Sequence, residues 1–441
     1  MNRREWLVGA GALAIAGCGP QPAGAGPQAA GASAAPAGDP FAGDRLMKDV
    51  EAYVGFGTHR SGSKGDLATS DWFAAKWKEL GYAVEQTEFP LPNADTTAAK
   101  LEVGGETFDG FAQPPLSFTP EAGVTAPLAV WNPKSVADVS GKIAVVHVPR
   151  QAGQPSPSGA YRAAFAACNK AGAKGVLAVV SGPSGEVVAI NTTVEMTLDT
   201  PVLMVGEKEK ARVDAAVAKK QPAKLTITGP GGFRNGKNTI ARRGEKGPWV
   251  IISTPQSGWF TCGGERGPGI AMSRALSEWA VQKNFPARFL FIATSGHEWV
   301  DFGAKLFHQN GAPEPKDTAL WFHLGASFGA RAFEEMPAGP RPLETANLGR
   351  TLMATNDIVP LCQAAFAGQA PIDQPLPADA ATALGEYKEV LEEGYSSSAG
   401  FWGFNTFFHT PVDGAEGATG AVMEPVARAI AKVIEARLAK V

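Results

Sequence analysis

Cysteine is scarce in this chain: four residues in 441, at positions 18, 168, 262 and 362. Once Cys18 is set apart, the other three have no framework spacing, and an odd number leaves at least one unpaired within a monomer. Charge of one sign is also missing. The formal net charge is −3 and no basic stripe occurs, which argues against nucleic acid as a partner. No apolar run is long enough to cross a ~30 Å hydrocarbon core as a permanent helix. The glycine-rich stretch at 261–269 lacks the lysine of a phosphate-binding loop and does not follow a first strand, as a dinucleotide fingerprint would. No internal repeat is visible. What remains is a chain of 441 residues, too long for one ordinary core.

The first residues read as an address. Arg3 and Arg4 precede an apolar segment at 6–16 that closes on Ile15-Ala16-Gly17-Cys18. Paired arginines, a short hydrophobic stretch and a small-residue cleavage site resemble a twin-arginine lipoprotein signal over residues 1–18, with Cys18 as the acylated residue. Residues 19–40 are rich in Gly, Ala, Pro and Gln, with little to bury, and read as a flexible tether. The expected mature protein is exported, periplasmic or in the cell envelope, and anchored to the membrane by lipid. Its oligomeric state is not legible.

Beyond the tether, short apolar runs alternate with helical periods. Phe73, Trp77 and Leu80 share a helix face that Gly81 ends, and 82–89 reads as a strand. Strands are expected at 143–148, 175–180, 201–205, 249–253, 289–293 and 320–324. Helices are expected at 160–171, 270–281 and 302–308. Val422, Val426, Ile430 and Ile434 repeat every four residues, the stripe of a C-terminal packing helix. The reading is an α/β protein with a mostly parallel sheet sandwiched by helices, at 41–119 and 236–441. A small α/β module of its own is inserted at 120–235. Open α/β sheets place ligands just past the carboxyl ends of their strands.

Chemistry is concentrated at such ends. Ser295-Gly296-His297-Glu298 directly follows the apolar run at 289–293 and presents a His-Glu pair. With Glu265 and His409, Glu298 could complete one metal site drawn from three distant segments. Two carboxylates and an imidazole suit Zn²⁺ with a fourth position open. A metal-free alternative takes Cys262 as nucleophile and His297 as base, since Cys262 lies in a glycine-rich loop before a helix start. Trp259, Phe260, Phe401, Trp402, Phe404, Phe407 and Phe408 are candidate pocket walls or core residues. His59, His147 and His308 read as packing or surface residues, while His323 ends near the expected cleft.

The arrangement resembles the M28 family of zinc peptidases over most of residues 45–441, and the inserted module resembles a protease-associated domain. The likeness rests on Gly57-Thr58-His59-Arg60-Ser61-Gly62-Ser63 before a long helix and on His409-Thr410-Pro411-Val412-Asp413 near the end. The family holds two zinc ions, and this chain departs from its pattern. The first ligand histidine falls on Thr254, the aspartate after it on Gln256 and the bridging aspartate on Glu265. The general-base glutamate falls on His297, the ligand glutamate on Glu298, and the last aspartate near Gly325. The ligands of one ion are thus lost, and those of the other are Glu265, Glu298 and His409. That set is similar to the single-zinc glutaminyl cyclases.

The resemblance implies a divergent metal-assisted hydrolase, with one Zn, acting on a small peptide or amide-like substrate. His297 would act as base, Arg266, Tyr395 or Ser396 would stabilise an oxyanion, and Arg266 would alternatively hold Glu265 in place or neutralise it. Binding without turnover, by an inactive relative, is the alternative from another class. The inserted module would shape access to the cleft.

Overall fold

A computed structural model describes residues 38–151, 154–194, 198–334, 336 and 339–441. The expected signal at 1–18 and nearly all of the tether lie outside these residues. Among them, no helix is long and apolar enough to cross a membrane.

The main sheet has eight strands in the order Ala83–Pro92, Phe233–Arg243, Arg288–Thr294, Trp249–Pro255, Thr318–His323, Ser398–Gly403, Arg350–Ala354 and Leu376–Pro377. Its centre is parallel: Trp249–Pro255 pairs in that sense with both Arg288–Thr294 and Thr318–His323. These strands are buried on both faces, which is why they read as unbroken apolar runs rather than alternating ones.

The flanks correct the expectation of a mostly parallel sheet. Ala83–Pro92 pairs antiparallel with Phe233–Arg243, which pairs antiparallel with Arg288–Thr294. Arg350–Ala354 is antiparallel to Ser398–Gly403. Period and apolarity locate a strand, but its direction is set by partners far away in the chain, so the mixed pattern had no local signal.

Helices cover this sheet. Gly267–Lys283 starts with Pro at its first turn, where a missing N–H costs nothing. It is buried along most of its length because Gly43–Gly55 and Gly420–Leu438 pack over it. Lys64–Glu79 is capped by Ser63, whose hydroxyl accepts from the Asp66 N–H at 3.4 Å. Its Phe73 and Trp77 rings stack at 4.5 Å, and Gly81 supplies the positive φ, +79°, that turns the chain into the next strand.

A second eight-stranded sheet is built from residues between 98 and 228. Ile143–Val148, Gly175–Val180 and Val202–Gly206 form its parallel part. Two strands that lie before residue 120 join it: Ala98–Val103 pairs antiparallel with Pro222–Thr228, and Glu106–Asp109 pairs antiparallel with Ala98–Val103 at the edge. This sheet too is mixed.

Candidate active site

A cleft of about 400 Å³ opens past the carboxyl ends of the central strands. Arg266, His297, Asp301, His323, Glu386 and His409 line it, together with Phe401, Trp402, Phe404 and Phe408. The segment after Gly175–Val180 reaches over from the second sheet and adds Val188 and Asn191.

Three of the expected residues meet around a fourth. Glu265, Glu298 and Arg266 are all at most 1% exposed. One terminal nitrogen of Arg266 lies 3.0 Å from Glu265 Oε1 and 3.9 Å from Glu298 Oε1. His409 Nε2 is 3.3 Å from the same Glu265 oxygen. Burial opposes ionisation of Glu265, but Arg266 and then His409 outweigh it and bring its pKa down to about 2. The surrounding chain holds these groups firmly. Ser61 Oγ donates to Glu298 Oε2 at 2.8 Å, which gives the early Arg60-Ser61-Gly62-Ser63 segment a role at the site. Asp413 accepts from the backbone N–H groups of Gly264 and Glu265 at 2.9 and 3.0 Å, fixing the loop that carries Glu265.

The zinc implied at Glu265, Glu298 and His409 does not fit this arrangement. A buried guanidinium already stands between the two carboxylates. Among the described residues, the one group of three His, Cys, Asp or Glu side chains whose ligand atoms all lie within 4.8 Å of one another is elsewhere, at His297, Asp301 and Glu386. The positions of the other expected ligands are also closed. Thr254 Oγ1 donates to Leu324 O at 3.0 Å, and a Cβ added to Gly325 would stand 2.0 Å from Phe401 O. Gln256 donates to Asp66 at 2.9 Å and to Ser70 at 2.6 Å, so it belongs to a buried hydrogen-bond cluster behind the cleft.

His297, Asp301 and Glu386 could hold one metal ion. His297 Nδ1 lies 2.8 Å from Asp301 Oδ1 and 3.2 Å from Glu386 Oε1. A short 3₁₀ turn, His297–Trp299, brings His297 and Asp301 to one side. Asp301 itself sits at φ 62° and Val300 at φ 49°, a left-handed pair that is costly for side chains with a Cβ, of order 1–3 kcal/mol each. Glu386 comes from the start of the distant helix Tyr387–Glu392, and Thr294 Oγ1 donates to it at 3.2 Å.

These neighbours overturn the expected role of His297 as a base. Burial and the Arg266 charge disfavour its protonation, yet Asp301 and Glu386 prevail and its pKa rises to about 10. Near neutrality the ring paired with these carboxylates is an imidazolium, with no lone pair to act as a base, and a metal ion held there would displace the Nδ1 proton. His323 goes the other way. Burial, with the His297 charge behind it, pushes its pKa down to about 3, and its Nδ1 is 2.9 Å from Ser253 Oγ.

Two other expectations are corrected. The Cys262 thiol is 1% exposed and packs in the core of the main sheet. Burial, then the Glu265 and Asp413 charges, push its pKa well above the ordinary thiol value, the reverse of nucleophile activation. Tyr395 turns away from the cleft. Its hydroxyl donates to Pro313 O at 2.5 Å and its ring meets Trp321 edge-on at 4.5 Å. The aromatic residues divide: Trp259 is in the core of the second sheet, donating to Asn191 at 2.8 Å, and Phe407 packs on Phe333 at 4.7 Å. Asp301 and Glu386 were missed. The four-residue step from His297 to Asp301 was a visible signal, whereas Glu386, 89 residues from His297, left none.

No family model matches this chain, and no curated protein does either. Solved structures do. A zinc aminopeptidase from Bacillus subtilis superposes with a TM-score of 0.71 at 16% identity, covering 91% of this chain and 96% of that one. An M28 peptidase precursor from Shewanella amazonensis gives 0.67 at 14%, with coverages of 90% and 95%. An aminopeptidase from an Aneurinibacillus strain gives 0.61 at 18%, with 89% and 92%. At such identities the likeness is one of fold. The chain is an α/β sandwich whose fold resembles that of M28 exopeptidases, with mixed sheets.

Proposed function

We propose that this protein is a hydrolase of peptide or amide-like bonds that works in the cleft and holds one metal ion on His297, Asp301 and Glu386. The observation that carries the reading is the convergence of those three donors on the wall of a cleft at strand carboxyl ends. One imidazole and two carboxylates form a donor set suited to zinc with an open position. Zinc bound there would supply Lewis acidity and bring the pKa of a bound water toward ~7. The chain's own residues do the rest. Trp402 and Phe408 offer flat apolar walls for a substrate side chain. Arg266 places a permanent positive charge on the cleft wall, suited to an oxygen that gains negative charge. The second sheet, read as a protease-associated module, narrows the mouth through Val188 and Asn191. On the sequence of residues 1–18, the protein acts outside the cytoplasm as a lipid-anchored species.

Elemental analysis of protein purified without chelator tests the metal, and release of amino groups from a peptide mixture tests the reaction. The expected result is about one zinc per chain, lost together with turnover in Asp301→Ala and in Glu386→Ala. Metal-free protein with undiminished turnover would remove the metal from the reading. A second reading, capture without turnover, is favoured by one observation. His297 already bridges two carboxylates and Arg266 two more, so both ion networks are closed by protein charges. It requires that cleft ligands be recovered chemically intact after prolonged incubation.

A further inference from the structure

Four polar atoms are buried together with no hydrogen bond of good geometry among the described residues: both Glu265 carboxylate oxygens, Glu298 Oε1 and His409 Nε2. His409 Nδ1 is 2.9 Å from Ala189 O, and a carbonyl oxygen can only accept, so Nδ1 carries the hydrogen. The other ring nitrogen, Nε2, is thereby aimed at Glu265 Oε1, 3.3 Å away. Among the described residues, the permanent cation against these atoms is the Arg266 guanidinium, and neither of its terminal nitrogens makes a hydrogen bond. A guanidinium donates in a fixed planar fork. Here it supplies charge without meeting the directions its neighbours require, whereas a spherical cation has no such preference.

We propose that Arg266 is a resident substitute for a metal ion, and that Glu265, Glu298 and His409 become a divalent-cation site once its side chain is removed. The inference does not rest on the His297 centre. It concerns a different cation position, and it makes the misfit between this chain and the zinc pattern of its fold a built-in exchange of ion for side chain. His409 is suited to ligation because the Ala189 carbonyl fixes its tautomer, as the outer partners of metal-bound histidines do.

The test is zinc content by mass spectrometry in an Asp301→Ala background, which disables the His297 centre and so separates the two positions. Asp301→Ala protein should carry no zinc. Adding Arg266→Ala should bring about one zinc per chain, with a higher unfolding temperature in zinc than in chelator, and His409→Ala should abolish both. Circular dichroism with and without zinc follows folding, since two buried carboxylates left unpaired destabilise the apo variant. The proposal is overturned if the Arg266→Ala protein takes up no ion, or stays unfolded with zinc present. It is equally overturned if protein retaining Arg266 holds zinc that His409→Ala removes.

Discussion

His59 offers a direct measurement of what burial costs an imidazole in this fold. Its side chain is fully buried and stacks on Tyr53 with ring centroids 3.7 Å apart. Burial lowers its pKa from 6.5 to about 3. The unfolded chain takes up a proton near pH 6.5 and the native state does not until far lower pH. The unfolded state therefore binds more protons throughout that window, and stability falls as pH drops below 6.5. At pH 5 the gap from the unfolded pKa is about 1.5 units, which at 1.36 kcal/mol per unit costs about 2 kcal/mol. His59→Phe keeps an aromatic ring on Tyr53 and has nothing to protonate. Urea unfolding at pH 7.5 and pH 5.0 should show the wild type losing about 2 kcal/mol more than the variant between the two conditions. All other titrating groups are common to both proteins and cancel. Equal losses, within about 0.5 kcal/mol, would refute the assignment of a neutral, buried His59.

Two further outcomes are expected. Gly325→Ala puts a Cβ 2.0 Å from Phe401 O, a backbone atom that cannot yield without moving its strand. It should destabilise by about 1–3 kcal/mol or more in the same urea assay, and a neutral result would show that the strand relaxes freely. Iodoacetamide at pH 7.5 should leave Cys262 unmodified in native protein and label it fully in urea, because the thiol is buried and held protonated. Native labelling at a rate near that of the unfolded chain would contradict its placement.

Legibility in the sequence followed locality. The strands Ile143–Val148 and Gly175–Val180 match the expected ranges residue for residue, because a short apolar run between turn residues carries its own boundaries. The stripe at Val422, Val426, Ile430 and Ile434 is the buried face of Gly420–Leu438. By contrast, Ala98–Val103 and Val124–Val130 are part-exposed strands with only alternating or scattered burial, and they passed unread. At the site, motif order points to Glu265, Glu298 and His409 as neighbours and adjacency pairs Arg266 with Glu265, but not with Glu298 as well. No property of Arg266 in sequence tells which way its guanidinium turns. His297 was visible as a titratable group at a strand end, but its protonation state depends on Glu386, a residue with no periodic or motif signal of its own.

The meeting of His409 with Ala189 has a mechanical consequence. The two residues are tied twice: the Ala189 N–H donates to His409 O at 2.9 Å, and the imidazole returns a bond of 2.9 Å to Ala189 O. The Phe408 ring also stacks on the imidazole, with ring centroids 4.0 Å apart. Lifting the second sheet off the cleft would mean breaking both bonds and releasing the imidazole from its seat beside Glu265. At about 0.5–1.5 kcal/mol net each, the two bonds together bias this seam toward staying shut and couple any parting of it to the seat of the imidazole.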